Sequence, residues 1–293
     1  MGASDRPADR SRLEREMAGL DNLELPLRAR RSGLRRAWSS AWPQLAAVGL
    51  ALAIWQAIVV LELKPSWVLP GPLTVLPELW NDLTKDTRLL EAIATTLRRS
   101  ALGFGSAVII GTCIGLAVTR WKGLRTAVAS LITGLQTMPS IAWFPLAILI
   151  FGLNEQAILF VVVLGAAPSV ANGLIHGIDH IPRILLRAGY VLGARKFDKY
   201  RFVILPAALP SFVGGLKQAW AFAWRSLMAG ELLVIIANQP ALGVRLQLQR
   251  ELSNAEALIG TMLVVLFIGV VVDLVVFGTI ERRISQRRGL RAA

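Results

Sequence analysis

The stretch that decides the fold is Ala188-Gly189-Tyr190-Val191-Leu192-Gly193-Ala194, followed by Val203-Ile204-Leu205-Pro206. It is basic, and it lies between two long apolar runs of the chain. Gly193 precedes Val203 by ten residues, and this spacing of a glycine and a Val-x-Leu-Pro sequence is typical of a loop on which another protein docks. The pattern therefore indicates a membrane subunit that is driven by the chemistry of a separate protein.

The composition of the whole chain favours a membrane protein over a soluble domain. Of its 293 residues, 54% are hydrophobic and only 17% are charged, whereas about 25% charged residues is usual in soluble domains. Four runs without Asp, Glu, Lys or Arg reach the roughly 20 residues that a spanning helix needs; they are 37–61, 100–119, 126–154 and 156–178. Two further runs, 209–237 and 257–280, contain few charges, so the sequence predicts an all-α protein with about six spans.

The third run is interrupted by proline. Gln136-Thr137-Met138-Pro139-Ser140 breaks it, and Pro145 follows. Proline removes a backbone donor and clashes with the preceding turn, and in lipid such a break persists only where protein or a water-filled cavity covers the freed carbonyls. The run is therefore either a broken span that faces the interior of the bundle or two short buried helices without a ligand role.

The basic residues predict the orientation in the membrane. Arg and Lys are concentrated in 6–36, 120–125, 183–201 and 282–291. The intervening loops carry fewer basic residues, among them Lys64, Lys85, Arg88, Arg245 and Arg250. Because basic loops stay in the cytoplasm, both termini are predicted to be cytoplasmic. This bias and attraction to anionic headgroups explain the net charge of +13, so nucleic-acid binding is not expected.

The span prediction divides the chain into three parts. Residues 1–40 form a basic cytosolic tail without the apolar segment of a signal peptide, and their composition predicts disorder. Residues 41–283 form the transmembrane domain, with the docking loop at about 182–206, and 284–293 form a second basic tail. A lone cysteine, Cys113, and the pair His176 and His180 give no metal-binding pattern, so we expect no metal and no cofactor.

The docking loop has the pattern of two short helices. Residues 182–192 are predicted to be helical, and Gly193 ends that helix because glycine tolerates a left-handed cap. A second helix begins at about Lys196, and Leu205-Pro206 ends it because the residue before proline avoids helical geometry. The small residues Ala188-Gly189 are expected to let a partner come close.

This loop resembles a known one. ABC importer permeases carry Glu-Ala-Ala, three residues, Gly, nine residues and Ile-x-Leu-Pro, and here the spacing is intact, while Arg187 and Gly189 depart from the pattern. The resemblance extends over about 45–285 and includes Met138-Pro139, Ala223-Trp224-Arg225 and Leu242-Gly243. It is to the subgroup for nitrate, aliphatic sulfonates and taurine. The docking residues that it implies are Arg187, Ala188, Gly189, Gly193, Ala194, Val203, Leu205 and Pro206.

The resemblance implies a fold, partners and a function. The fold is the MetI-like transmembrane domain, in the inner membrane of a bacterium. The permease pairs with a second copy or a second permease, cytosolic ATPase subunits hold its loops, and an extracytoplasmic binding protein delivers the substrate. The substrate is a small oxyanion, or, in similar permeases, a pyrimidine or other small solute. Because Gly214-Gly215-Leu216-Lys217 lacks the spacing of a phosphate loop, the chain is not expected to hydrolyse ATP or to be an enzyme.

Charged and polar residues inside the spans are candidates for the translocation pathway, since each is costly in lipid. A fixed guanidinium such as that of Arg225 suits a sulfonate or nitrate, but neutralisation of Arg225 by Asp273 or Glu231 is the favoured interpretation, because an unpaired buried charge is costly. The pathway candidates are Gln136, Met138, Gln218, Trp224, Arg225 and Glu231.

An ion-coupled secondary transporter is the alternative from another class. It would use Arg225, Glu231 and Asp273 for coupling, and it would carry an inverted repeat. No such repeat is evident between the halves of the sequence, and copurification of an ATPase separates the two hypotheses.

Overall fold

A computed structural model describes residues 33–287. The rest of the two predicted tails, 1–32 and 288–293, lies outside the described residues. Helices make up the described chain, which contains no strand, so the all-α prediction is confirmed. The helices are α1 Gly33–Val60, α2 Pro72–Lys85, α3 Thr87–Arg120, α4 Lys122–Thr137, α5 Phe144–Phe151, α6 Glu155–Asp179, α7 Arg183–Val191, α8 Leu205–Leu233, α9 Leu242–Glu251, α10 Ala255–Val271 and α11 Gly278–Arg287.

Of the described residues, those up to Leu61, with helix α1, belong to one compact unit, and those from Glu62 onward belong to a second unit. Residues 33–40, which lie within the predicted tail 1–40, form the first two turns of α1. The apolar part of this helix is Leu45–Val60.

The second unit contains the long apolar helices. Within residues 33–287, four helices are long and apolar enough to cross a membrane: Thr87–Arg120, Glu155–Asp179, Lys199–Leu233 and Ala255–Gln286. The segments Ser130–Thr137 and Ser140–Phe151 would give a fifth span, although they meet at 97°. Together with the apolar part of α1, Leu45–Val60, these segments correspond to the six predicted runs. The count of six spans stays a prediction.

The packing of α3 on α6 shows in which direction the chain runs through α4 and α5. Helices α3 and α6 are parallel, since Gly103 packs on Val162 and Gly115 on Leu174. The chain must therefore return between Trp121 and Asn154 through α4 and α5, and a broken span across the membrane at this point stays a prediction. Below, the loop end of the bundle is the end with Arg120 and residues 182–206, and the far end is the end with Glu155 and Leu233.

Close packing of small residues holds α8 antiparallel to α6. A Cβ atom built on Gly173 would lie 2.6 Å from the Cα atom of Gly215, closer than real Cβ contacts come. Gly165 meets Ser226, and Gly177 meets Ala208, in the same way. Small residues at four-residue spacing let membrane helices approach at the backbone, so the sequence of α6 fixes the position of α8.

The predicted end of the second loop helix at Leu205-Pro206 is wrong. Residues Lys196–Asp198 form a helical turn, Lys199–Ile204 form a π-helical turn, and the chain continues directly into α8. The Leu205 N–H bonds to the Tyr200 carbonyl five residues back. Pro206 has no backbone N–H to donate. It lies where the hydrogen-bond pattern changes from that of the π turn to that of α8, in the first turn of α8, where proline is tolerated.

Candidate functional site

The 182–206 loop is a helix–turn–helix at the loop end of the bundle. Helix α7 ends in a Schellman motif, with Gly193 at a φ of +83°. The Ala194 N–H donates to the Gly189 carbonyl at 2.9 Å, and the Gly193 N–H donates to the Tyr190 carbonyl at 3.0 Å. This cap needs a left-handed residue, which glycine adopts without strain, so Gly193 sets the angle between the two arms of the loop.

Gly189 has an internal role in this loop. Gly189 is buried, and a Cβ atom built on it would lie 2.6 Å from Cγ2 of Val203. The small residue therefore lets α7 pack on the second arm, and the expectation that Gly189 makes room for a partner is wrong for the isolated chain. Arg187 and Ala188, by contrast, are exposed, and Ala194 and Val203 are half-buried. Leu205 and Pro206 are exposed in the first turn of α8.

The outer surface of the 182–206 loop is apolar and basic. Val191 and Leu192 are 84% and 85% exposed, and Phe197 is 71% exposed. Around them the loop carries six basic residues and one acidic residue, a net charge of +5. Exposed apolar side chains rimmed by charge mark sites of protein interaction, and Val191, Leu192 and Phe197 precede the apolar helix that begins at Lys199.

A second exposed surface runs along α8. Ser211, Gly214, Gln218, Ala221 and Arg225 are all exposed, alternating three and four residues apart, and we refer to these residues as the polar stripe. Two of the predicted pathway residues, Gln218 and Arg225, therefore lie on one face of one helix. A face of small and polar residues gains nothing from contact with lipid tails.

Arg225 does not form the ion pairs expected for it. Its Nε donates to the Ala221 carbonyl at 3.0 Å, and its guanidinium lies 4.8 Å from the centre of the Phe222 ring. Asp273 is paired instead with Lys217 at 3.4 Å, and Glu231 is paired with Arg99. No carboxylate of residues 33–287 pairs with Arg225, which leaves its guanidinium open on the polar stripe.

Trp224 and Glu231 lie away from the polar stripe, inside the packed bundle. Trp224 is 9% exposed and stacks on Trp220 with ring centres 5.7 Å apart. Glu231 is completely buried. In the single chain neither side chain lines an open surface, so the pathway role predicted for these two residues finds no support in the geometry.

Glu231 is the centre of a buried polar cluster at the far end, which we call the Glu231 cluster. Its carboxylate accepts from Nη1 of Arg99 at 3.2 Å, from the Thr96 hydroxyl at 2.9 Å and from the Gly243 N–H at 3.1 Å. The Leu242 N–H donates to the Thr96 hydroxyl oxygen at 3.0 Å. Side chains of α3 and α8 thus cap the first turn of α9, where an anion is favoured.

Sequence reasoning missed Thr96 and Arg99 as members of this site. The uncharged run was taken to begin at residue 100, whereas α3 begins at Thr87. A signal was present, because Arg99 lies next to a long apolar run and a buried cation requires an acidic partner. Glu231 and Asp273 are the carboxylates inside the predicted apolar runs, but one sequence does not show which of several cations each of them meets.

The body of α9 is tied to α2 and to the start of α3. Arg245 donates from Nη2 to Asp82 at 2.6 Å and from Nη1 to Asp86 at 2.8 Å. Burial tends to raise the pKa of Asp86, but hydrogen bonds from Arg245 and from the Arg88 N–H, with the charge of Arg245, outweigh it and lower that pKa below its ordinary value. Helix α9 is thus fixed at both its first turn and its middle.

The remaining pathway candidates lie at the break between α4 and α5. The Gln136 side-chain amide donates to the Ser169 hydroxyl at 3.0 Å, and Met138 is 41% exposed at the bend. His176 and His180 stack at 5.7 Å near the loop end. In the part of the chain that the structure describes, no three His, Cys, Asp or Glu side chains are grouped in a way that could hold a metal ion.

Comparison with known proteins gives a family and a fold. The family described as "Binding-protein-dependent transport system inner membrane component" matches residues 107–287. The taurine transport system permease protein TauC of Escherichia coli is 27% identical, over 83% of this chain and 88% of its own length. The bicarbonate transport system permease protein CmpB of Synechococcus elongatus is 29% identical, over 70% and 79%. Among solved structures, the MetNI methionine ABC transporter in an inward-facing conformation matches with a TM-score of 0.58 at 19% identity, over 68% of this chain and 97% of the matched chain.

Proposed function

Because the chain belongs to the family of inner membrane components of binding-protein-dependent transport systems, we propose that it forms the translocation pathway of an ABC importer and that a separate ATPase subunit docks on the 182–206 loop. The observation that carries the proposal is the exposed apolar surface of that loop, with Val191, Leu192 and Phe197. These side chains lie beyond the spans, in a segment with a net charge of +5, and a protein groove would remove them from water.

The shape of the loop suits the transmission of force. Gly193 and the contact of Gly189 with Val203 make the two arms one body. The second arm runs without a break through the π turn into α8. A push on α7 by a nucleotide-driven partner is therefore passed to α8, which carries the polar stripe. Substrate affinity must differ between the two states of the bundle for work to be done.

The docking proposal is tested by a charge placed in the apolar surface. The Val191→Asp variant, coexpressed with the ATPase subunit, should lose the complex, since truncation or charging of a central interface residue costs about 2 kcal/mol or more. The matched control is Leu252→Asp, an exposed leucine after α9 at the far end, which should copurify with the ATPase normally. Equal recovery of the ATPase with both variants would refute docking on this loop.

The polar stripe is the proposed wall of the translocation pathway, with Arg225 as the residue that meets the substrate. Its guanidinium is exposed, lies within an apolar span and has no carboxylate partner among residues 33–287. An unpaired cation in a span is stabilised by an anion, and relatives for taurine and for bicarbonate transport both handle molecules with an anionic oxygen group. A small oxyanion is therefore the proposed substrate class.

Uptake measurements with the reconstituted complex test this role. Arg225→Gln should lower uptake about tenfold or more, because a bidentate charged contact is lost, while Arg225→Lys should retain part of it. Leu266→Ala, on the exposed apolar face of α10, is the control. Basal ATPase activity should persist in every variant. Unchanged uptake by Arg225→Gln would exclude a role for Arg225 in the pathway.

The proposed assembly has further parts. A second copy of the chain, or a related permease, closes the pathway opposite the polar stripe, and an extracytoplasmic binding protein delivers the substrate at the far end. The orientation predicted from Lys and Arg places the loop end and both termini in the cytoplasm of a bacterium. Protease protection of a tag at either terminus in sealed vesicles tests that orientation.

A further inference from the structure

A cavity of about 420 Å³ lies between α3, α4 and α6, apart from both candidate sites. All fourteen of its lining residues are apolar, and they include Ala117, Val118, Leu131, Phe160 and Ala171. Cavities without polar partners do not hold water. The natural occupant is therefore an apolar group that can reach the cavity from the surroundings of the bundle.

The position of the cavity shows which apolar group can reach it. Its lining belongs to residues 110–118 of α3, 128–135 of α4 and 160–171 of α6, inside the segments proposed to span the membrane. At its rim, Ile110 is 43% exposed, Ile114 is 37% exposed and Leu131 is 62% exposed. The cavity therefore opens sideways, at a depth where the surrounding solvent is lipid.

The length of the cavity matches one layer of lipid. At about 1.5 Å per residue, the lining segments extend for about 10 to 16 Å along the three helices. One leaflet of a bilayer has a hydrocarbon depth of about 15 Å, half of the roughly 30 Å core. On α3 the lining begins at Val118, two residues from the exposed Arg120 at the loop end. Arg120 therefore lies about 3 Å of helix rise beyond the last lining residue of α3, next to an apolar slot of about leaflet depth.

We propose that this cavity binds one acyl chain of an anionic phospholipid from the leaflet at the loop end, with its phosphate group at Arg120. The bound acyl chain contacts α3, α4 and α6 near the point where α4 leaves the loop end. The lipid fills a void that would otherwise weaken the packing of α4 on α3 and α6. This site is independent of ATPase docking and of the substrate.

Retained lipid tests the proposal directly. The detergent-purified chain, incubated with equal amounts of phosphatidylglycerol and phosphatidylethanolamine, should retain about one phosphatidylglycerol per chain in native mass spectrometry. The Ala117→Phe variant fills the slot and should lose that lipid. Ala101→Phe, at an exposed alanine of the same helix outside the cavity, is the matched control and should retain it.

The headgroup part of the proposal has its own variant. Arg120→Gln leaves the slot open and should lower the preference for phosphatidylglycerol over phosphatidylethanolamine about fivefold, the effect of one basic residue near a membrane surface. Equal retention by Ala117→Phe and the parent chain would overturn the acyl-chain site, as would the absence of any retained lipid, which would mean that protein fills the slot. An unchanged headgroup preference in Arg120→Gln would overturn the assignment to an anionic lipid.

Discussion

The two ends of the bundle are stabilised in opposite ways. At the far end one ion pair is buried between the helices, with Arg99 and Glu231 1% and 0% exposed. Arg99 donates a hydrogen bond to Glu231, and the Glu231 carboxylate also accepts one from the Gly243 N–H in the first turn of α9. At the loop end the charges and several large apolar side chains are exposed, and a backbone cap at Gly193 with one close contact at Gly189 holds the shape.

This difference indicates which end is complete in a single chain. The charges of Arg99 and Glu231 neutralise each other inside the chain, and such a buried ion pair tolerates little change. The exposed side chains of Val191, Leu192 and Phe197 are stabilised only when another surface removes them from water. The far end thus behaves as a fixed joint between α3, α8 and α9, and the loop end behaves as an incomplete surface.

The largest effect is expected at the fixed joint. Glu231→Ala leaves the Arg99 guanidinium buried without an anion and removes the acceptor of the Gly243 N–H, so the free energy of unfolding should fall by about 3–5 kcal/mol. Denaturant titration in detergent, followed by tryptophan fluorescence, measures this loss. Arg98→Ala is the control, because the Arg98 side chain is 55% exposed in its pair with Glu155 and should contribute less than about 1 kcal/mol.

A double substitution distinguishes the ion pair from the packing around it. Arg99→Met with Glu231→Leu replaces both charges by apolar groups and should recover most of the loss, since no unpaired charge remains. If the double variant is as unstable as Glu231→Ala, the cap of α9 rather than the charge pair is the main contribution of Glu231.

The sequence predicted the helices well because their signals are local. Runs 100–119 and 156–178 lie within α3 and α6, and hydropathy alone locates such segments. The sequence allows two interpretations of the proline-interrupted run 126–154, because proline predicts the break but not the direction of the chain after it. The parallel packing of α3 and α6, through Gly103 and Gly115, shows that the chain returns to the far end through α4 and α5.

The sites were less predictable, since they depend on which helices become neighbours. Gly193 was predicted as a left-handed cap because that conformation depends on the residue itself. The partners of Arg225, Glu231 and Asp273 could not be read from spacing along the chain, and the pairs that form, Arg99 with Glu231 and Lys217 with Asp273, join residues far apart in sequence.

At the loop end, overpacking at Gly189 should separate the two arms of the loop. Gly189→Val places a side chain against Val203, where even a Cβ atom would lie 2.6 Å from Cγ2, and should cost the loop about 1–3 kcal/mol. Hydrogen exchange of the amides of 182–206 measures this local loss. Gly105→Val is the control because nothing lies within 4 Å of a Cβ atom there. Adding Val203→Ala should restore slow exchange, and failure of that rescue would show that the contact is not the cause.

A smaller loss is expected from the cap itself. Gly193→Ala keeps the hydrogen bonds possible but puts a side chain at a φ of +83°, which should cost about 1–2 kcal/mol. Gly193→Asn should cost less, because asparagine tolerates the left-handed conformation. Exchange rates of the Gly193 and Ala194 amides report the cap. Equal rates in the alanine and asparagine variants would mean that φ does not limit the loop.

The smallest effect is a pH dependence at the far end. Because hydrogen bonds and the charge of Arg245 outweigh burial, the pKa of Asp86 is lower in the folded chain than its ordinary value of 3.8. The contribution of Asp86 to stability is therefore fully present above the pKa of the unfolded chain and is lost as the pH falls through the lower, folded pKa. Between pH 7 and 5 the contribution of Asp86 to the free energy of unfolding should be constant. Below about pH 4, the ion pair between Arg245 and Asp86 should weaken by less than about 1 kcal/mol.

Comparison of the parent chain with Asp86→Asn isolates that term. Asparagine still accepts a hydrogen bond but does not titrate, so unfolding free energies measured from pH 7 to pH 3 should converge for the two proteins as the pH falls. Arg245→Met should converge with the parent in the same window, because the partner of the carboxylate is gone. A constant difference between the parent and Asp86→Asn down to pH 3 would mean that the ionised carboxylate adds nothing to the joint. The tie at Arg245 would then act through its packing and through Asp82, and the far end would depend on the Glu231 cluster for its charge-based stability.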